Sequence, residues 1–323
     1  MINLLEAIRT AILFTCLAIP ALSLADELAA SRLVMEAKQA LDEHYGDRAQ
    51  LTLAAGLLSR ALAESKDNAE MYVQAARLTI KGGHVVAMQF RPGTLQAYGE
   101  LLDRALALDP NNAKAHILKA EYLHGIGAFG LSIAELDKAK DTGTKDSWLL
   151  IGYGRSYRST GELEKSFNSY AEARARGAGE NLEQRNAYVA ALNGLATFAA
   201  AKFDESALRE LQDEILKARD PRDAWALGSL AESLVRAGMF GDAIEVSREA
   251  LRTMNYGAGR LTLAAALFGK AAELTLGGKP DLAAPLINEA RSYGFDKTAV
   301  FRSFTFGTKK IVDLIPTLET LVQ

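Results

Sequence analysis

The chain has 323 residues, 49% of them apolar, and a formal net charge of −3. That length suits two compact domains or one extended array. A near-neutral chain with no basic stripe argues against nucleic acid or a polybasic membrane surface as its partner. Alanine and leucine are abundant, prolines number only seven, and no alternating Val/Ile/Thr run is long enough to specify a strand, so the expected class is all-α.

At the N-terminus Arg9 precedes an apolar run over residues 11–21, broken at Pro20 and followed by Ser23-Leu24-Ala25. A charged start, an apolar stretch and a small-x-small site predict a secretory signal peptide over residues 1–25, cleaved before Asp26. The mature protein is then periplasmic or secreted, with no membrane span. The alternative is an uncleaved helix anchored in the inner membrane; residues 11–25 are short for that, because spanning a bilayer takes about 20 apolar residues. Cys16 is the only cysteine. Once the signal is removed, the chain has no disulfide, no thiol nucleophile and no cysteine metal site.

From residue 35 onward the chain repeats. Small residues at Ala49, Gly83, Gly127, Gly161, Ala201, Gly238 and Gly278 recur at spacings of 34 residues or somewhat more. Seven places before most of these points stand Ala76, Ala120, Gly154, Gly194, Ala231 and Ala271. Two places after come Leu51, Phe129, Leu163, Phe203 and Phe240; twelve after come Ala61, Ala139, Ala173, Ala250 and Ala290. Each mark has a physical reading. The earlier small residue lets two helices approach, the glycine ends the first helix with φ > 0, the Leu or Phe anchors the second helix, and the late alanine lets it pack on the next pair. Asp109-Pro110 and Asp220-Pro221 restart helices, since proline cannot donate within one.

These residues resemble the tetratricopeptide repeat family, most clearly in the unit with Gly154, Tyr157, Gly161, Leu163, Tyr170 and Ala173 and in that with Ala120, Leu123, Gly127, Phe129, Leu136 and Ala139. The resemblance implies a right-handed superhelical solenoid of antiparallel helix pairs, about seven units over residues 26–297. Asp42 stands where the family's small residue would be in the first unit, and extra residues are inserted at 83–94, 176–185 and 254–263. Residues 298–323 leave the repeat. An amphipathic helix is expected at 308–322, with Ile311, Leu314, Ile315, Leu318 and Val322 on one face. Pro316 is expected to kink or split it, and the segment to cap the solenoid.

Little in the sequence points to catalysis. Gly125-Ile126-Gly127-Ala128-Phe129-Gly130 matches GxGxxG, but residues 113–124 read as helix, so the glycines mark a helix-to-helix turn and not a dinucleotide site. His116 and His124 lack a third ligand at convincing spacing. There is no HExxH, GxSxG or Walker A sequence, and no cofactor is expected. By the family resemblance, the first helices line a concave groove. Carried over unit by unit, its residues are Arg77, Lys81, Glu121, His124, Trp148, Arg155, Arg158, Tyr188, Trp225, Glu232 and Arg236. Trp, Tyr and Arg are enriched at binding hot spots, although both tryptophans could instead pack against neighbouring helices. The expected function is a non-catalytic adaptor or scaffold of the cell envelope, gripping a protein or peptide. One rival is a self-associating structural subunit using Val85, Val86, Met88 and Phe90 as an apolar patch. The other is an enzyme with two carboxylates in unlike environments within a deep cleft.

Overall fold

The computed structural model describes residues 24–86, 89–202, 204–303 and 309–322. The expected signal segment up to Ser23, Cys16, Met88 and Phe203 lie outside the described residues. Seven antiparallel helix pairs follow one another. They are α1 (Leu24–Asp42) with α2 (Arg48–Glu64), α3 (Ala69–Gly83) with α4 (Thr94–Leu108), α5 (Ala113–Gly125) with α6 (Phe129–Asp141), and α7 (Trp148–Ser159) with α8 (Leu163–Ala175). Then come α9 (Leu182–Lys202) with α10 (Glu205–Ala218), α11 (Ala224–Arg236) with α12 (Phe240–Thr253), and α13 (Gly257–Leu276) with α14 (Pro280–Ser292). The short α15 (Lys297–Arg302) and α16 (Lys309–Leu321) complete a right-handed all-α solenoid.

Helix starts and stops follow local chemistry. Asn68, Asn112, Asp204 and Asp223 each accept the backbone N–H three residues on, at 2.9–3.0 Å, and so cap α3, α5, α10 and α11. Gly127, Gly161, Gly238 and Gly278 stand just past α5, α7, α11 and α13 with φ between 72° and 83°. At each, the next residue's N–H reaches back to a carbonyl in the last turn, as from Glu162 to Tyr157 at 2.8 Å. That is the Schellman stop, which satisfies carbonyls the helix leaves unbonded. The GxGxxG stretch is one of these turns.

Two punctuation points differ from expectation. Gly83 is not left-handed; it ends α3, and the inserted residues after it form a small antiparallel hairpin, β1 (His84–Val86) with β2 (Gln89–Phe90), in which His84 faces Phe90. Two β-branched residues there favour extended backbone, and strands this short carry too few residues to show as an alternating pattern. The first turn pivots on Gly46 at φ 101°, so Ala49 lies inside α2 and the first unit is out of register with the others.

The small residues bury as their spacing requires. Ala76, Ala120, Ala231 and Ala271 before the turns, and Ala61, Ala139, Ala173, Ala250 and Ala290 after them, are buried. Leu163 does not anchor its helix and is exposed. One close approach centres on Tyr170, whose ring fills the space that a side chain on Gly154 or Gly194 would need. A Cβ on either would lie 2.6–2.7 Å from it. At the far end α16 packs on α13 through buried Leu314 and Leu318. Pro316 neither splits nor ends that helix. It is exposed, so its ring displaces no packed neighbour.

The superhelix brings its first pair back against the fifth and sixth. Lys38 of α1 reaches Glu183 of α9 at 2.6 Å, and Tyr45 in the following loop donates to Asn186 at 2.9 Å. His44 lies 5.8 Å from the Trp225 ring, and the Arg222 guanidinium sits 5.2 Å from that of Tyr45. Glu183 is shared with Lys114, 2.5 Å away, which also holds Asp146; Lys38 also holds Asp42, itself paired to Arg77 at 2.6 Å. Burial pushes the Glu183 carboxyl up, but the two lysines outweigh it and hold it at about 2.

Two stability series test this packing. Gly154→Ala should lose about 1–3 kcal/mol by overpacking against Tyr170, whereas Gly56→Ala, on the open face of α2 with nothing near its Cβ, should gain about 0.5–1 kcal/mol. Urea unfolding reads the opposite signs. Glu183→Gln should cost about 1–3 kcal/mol at pH 7. Because the folded carboxyl titrates near 2 and the unfolded one near 4.3, the wild-type advantage is intact above pH 4.3 and shrinks as pH falls towards 2. Denaturation midpoints across that window check it.

Candidate ligand groove

The first helices α3, α5, α7 and α11 face a common hollow of about 690 Å³. Eight residues named from the sequence line it: Lys81, Glu121, His124, Trp148, Arg155, Arg158, Trp225 and Glu232. Three do not. Arg77 is drawn away to Asp42 and Gln74. Tyr188 donates to Glu214 of α10. Arg236 pairs with Glu232 on its own helix. α9, which carries Tyr188, contributes nothing to this wall, because its N-terminal turn is taken up by the contact with α1.

Tyr98, Tyr256, Ile117 and Phe90 also line the hollow, and sequence reasoning missed them. Tyr98 belongs to a second helix and Phe90 to the hairpin, while Tyr256 sits in the inserted residues before α13; a rule confined to first helices passes over all three. The Tyr98 hydroxyl donates to the Leu118 carbonyl and that of Tyr256 to the Ala224 carbonyl, each at 3.2 Å, so both rings are fixed. Burial raises both phenols, Tyr256 to about 12. Phe90, once expected in an outward patch, faces this hollow instead.

Both tryptophans are half-buried, so the two roles open to them coexist: Trp148 packs between the flanking cores and also lines the wall. The Arg155 guanidinium lies 6.0 Å from the Trp148 ring and 3.7 Å from the Glu121 carboxylate. His124 shares a hydrogen bond with Ser159 at 2.9 Å; burial, Arg155 and Arg158 hold its pKa below the usual imidazole value. Away from the groove, His116 is satisfied by Glu135 at 2.6 Å and by the Pro110 carbonyl at 2.9 Å. Among the described residues no cluster of three metal-ligating side chains occurs, and no helix is long and apolar enough to cross a membrane.

The lysine is the unusual group. Lys81 has no hydrogen-bond or ion-pair partner among the described residues. The carboxylates that feel its charge are engaged elsewhere: Asp42 with Arg77 and Lys38, Glu121 with Arg155, and Asp223 with the N-terminus of α11. Burial, with repulsion from Arg77, pulls its pKa down to about 8. The neighbouring His44 is buried, and burial together with Lys81 lowers it to about 4.

Seven helix pairs follow one another with small residues at the crossings, and the left-handed Gly127, Gly161, Gly238 and Gly278 stop the first helix in four of them. The chain has the tetratricopeptide-repeat fold. Solved structures of that architecture align along most of its length. The Cut9–Hcn1 hetero-tetramer of the APC/C matches over 92% of this chain and 47% of its own, at 13% identity and a TM-score of 0.54. The human IFIT1 dimer with PPP-AAAA matches over 84% and 59%, at 16% identity and 0.54. A tetratricopeptide repeat protein from Parabacteroides merdae matches over 86% and 98%, at 13% identity and 0.45. The chain thus spans about half to three-fifths of the length of the first two. The sequence matches no family model and no curated protein.

A half-buried ammonium with no direct hydrogen-bond or ion-pair partner costs folding stability. Lys81→Met should therefore raise the melting temperature at pH 7. Between pH 8 and 10.5 the unfolded wild type holds a proton that the folded form has released, so wild-type stability climbs there and the advantage of the variant shrinks. Scanning calorimetry of both proteins from pH 7 to 10 checks the direction.

Proposed function

We propose that the protein is a non-catalytic adaptor of the cell envelope that holds a protein or peptide segment in the groove formed by α3, α5, α7 and α11. The observation that carries this reading is the convergence of both tryptophans of the chain with Tyr98, Tyr256, Arg155 and Arg158 on one hollow. Rigid aromatic rings supply contact area at little entropic cost, and arginines supply directional donors. The rings are held by the fold before any partner arrives, so binding loses little to reorganisation. The two carboxylates on the wall are each held by an arginine, Glu121 by Arg155 and Glu232 by Arg236, an arrangement suited to fixing the wall more than to acid–base chemistry. The envelope location rests on the signal-like pattern of residues 1–25, and the partner class on what this fold does in assemblies such as the Cut9–Hcn1 hetero-tetramer.

A photo-crosslinking amino acid at Ser229, exposed on the groove wall, should capture one reproducible partner in living cells. The same group at Lys217, exposed on α10 away from the hollow, should not. Combining Arg155→Glu with Trp148→Ala should weaken purified partner binding by about tenfold or more, as expected for hot-spot residues. Capture from Lys217 alone, or unchanged affinity in the double variant, removes the groove from the function.

A further inference from the structure

Lys81 is a charged group that the adaptor reading leaves unexplained. It lines the groove, as do Tyr98, Trp225 and Tyr256, and it has no hydrogen-bond or ion-pair partner among the described residues, at a cost to folding that a neutral side chain would avoid. Its placement shows what would offset that cost. Arg77 on its own helix, Asp42 from α1, Glu121 from α5, Asp223 ahead of α11 and His44 from the first loop all face it electrostatically, and Arg77, Asp42, Glu121 and Asp223 are already engaged. The ammonium itself has no hydrogen-bond or ion-pair partner among the described residues. A single negative charge matches it, whereas a doubly charged phosphate would also meet the field of Asp42, Glu121 and Asp223. The hollow also carries Tyr98, Trp225, Tyr256 and Ile117 on its wall, and its volume of about 690 Å³ falls within the range of small-molecule sites.

We propose that the inner groove binds a small organic acid, with one carboxylate on the Lys81 ammonium and an apolar or aromatic body against Tyr98, Trp225 and Tyr256. The site lies beyond the adaptor reading and does not depend on it: a protein partner can be captured along the rim whether or not the inner site is filled.

Because both tryptophans of the chain line the hollow, intrinsic fluorescence of the full-length protein reports on it directly. Titration with 3-phenylpropanoate and octanoate should shift the emission, with isothermal calorimetry giving the affinities. The matching neutral amides should bind about tenfold or more weakly, the loss expected for a charge-assisted hydrogen bond. Lys81→Met should remove the acid preference, Lys81→Arg should retain most of it, and Arg158→Gln at the rim should change it less than about threefold. Acid affinity should hold below pH 8 and fall about tenfold per pH unit above it as the ammonium is lost; Lys81→Met should show no such slope. Equal binding of acids and amides, an unchanged acid preference in Lys81→Met, or no binding of either acid overturns the proposal. So does tighter binding of phenyl phosphate than of the acids, or binding confined to a peptide with a free C-terminal carboxylate. Crosslinking from Ser229 is read independently, so failure here leaves the adaptor function standing, and the reverse.

Discussion

Close approach between consecutive helices is the constraint on which this molecule depends. An α-helix can bury only one stripe, so an array of short helices is stable only if each pair comes near enough to share a continuous apolar interior. Alanine and glycine at the crossings make that approach possible. The Tyr170 ring then occupies the space vacated at Gly154 and Gly194, in two different pairs. One ring thus fixes the spacing within the fourth pair and the stacking of the fifth upon it, and the curvature of the superhelix follows from repeating such contacts.

Curvature brings elements distant in sequence together, and here electrostatics exploits it. Glu183 accepts from Lys38 and Lys114, which start on different pairs, and Asp42 continues the chain of charges to Arg77. These groups are partly buried, where charges interact more strongly than in open solvent and unpaired ones are costly. The network takes Arg77 and the start of α9 out of the groove. The same ordering of charges leaves Lys81 alone. Its neighbours are bonded to one another and to a helix N-terminus, so the ammonium stands on the groove wall without a direct partner among the described residues.

Much of the architecture was legible in the sequence. Spacing of Gly127, Gly161, Gly238 and Gly278 announced the helix stops, because a left-handed residue there is a local requirement that neighbouring turns cannot override. Alanines before and after these points announced the buried crossings, since only small side chains fit them. Eight of the residues that the family resemblance placed in a groove line the hollow. Irregular units were not: the first turn slid to Gly46, and the insertion after Gly83 became a hairpin.

The sequence by itself determined the helix pairs, most of their stops and the small residues at their crossings, all of which are set by contacts within about one repeat. Only the tertiary structure decided where the groove ends and which of its charges are free. Whether Arg77 and Tyr188 reach the hollow depends on Asp42 and Glu214, and whether α9 lines it depends on α1 returning across the superhelix. Those outcomes accumulate from small rotations between successive pairs, a quantity that no local pattern of residues encodes.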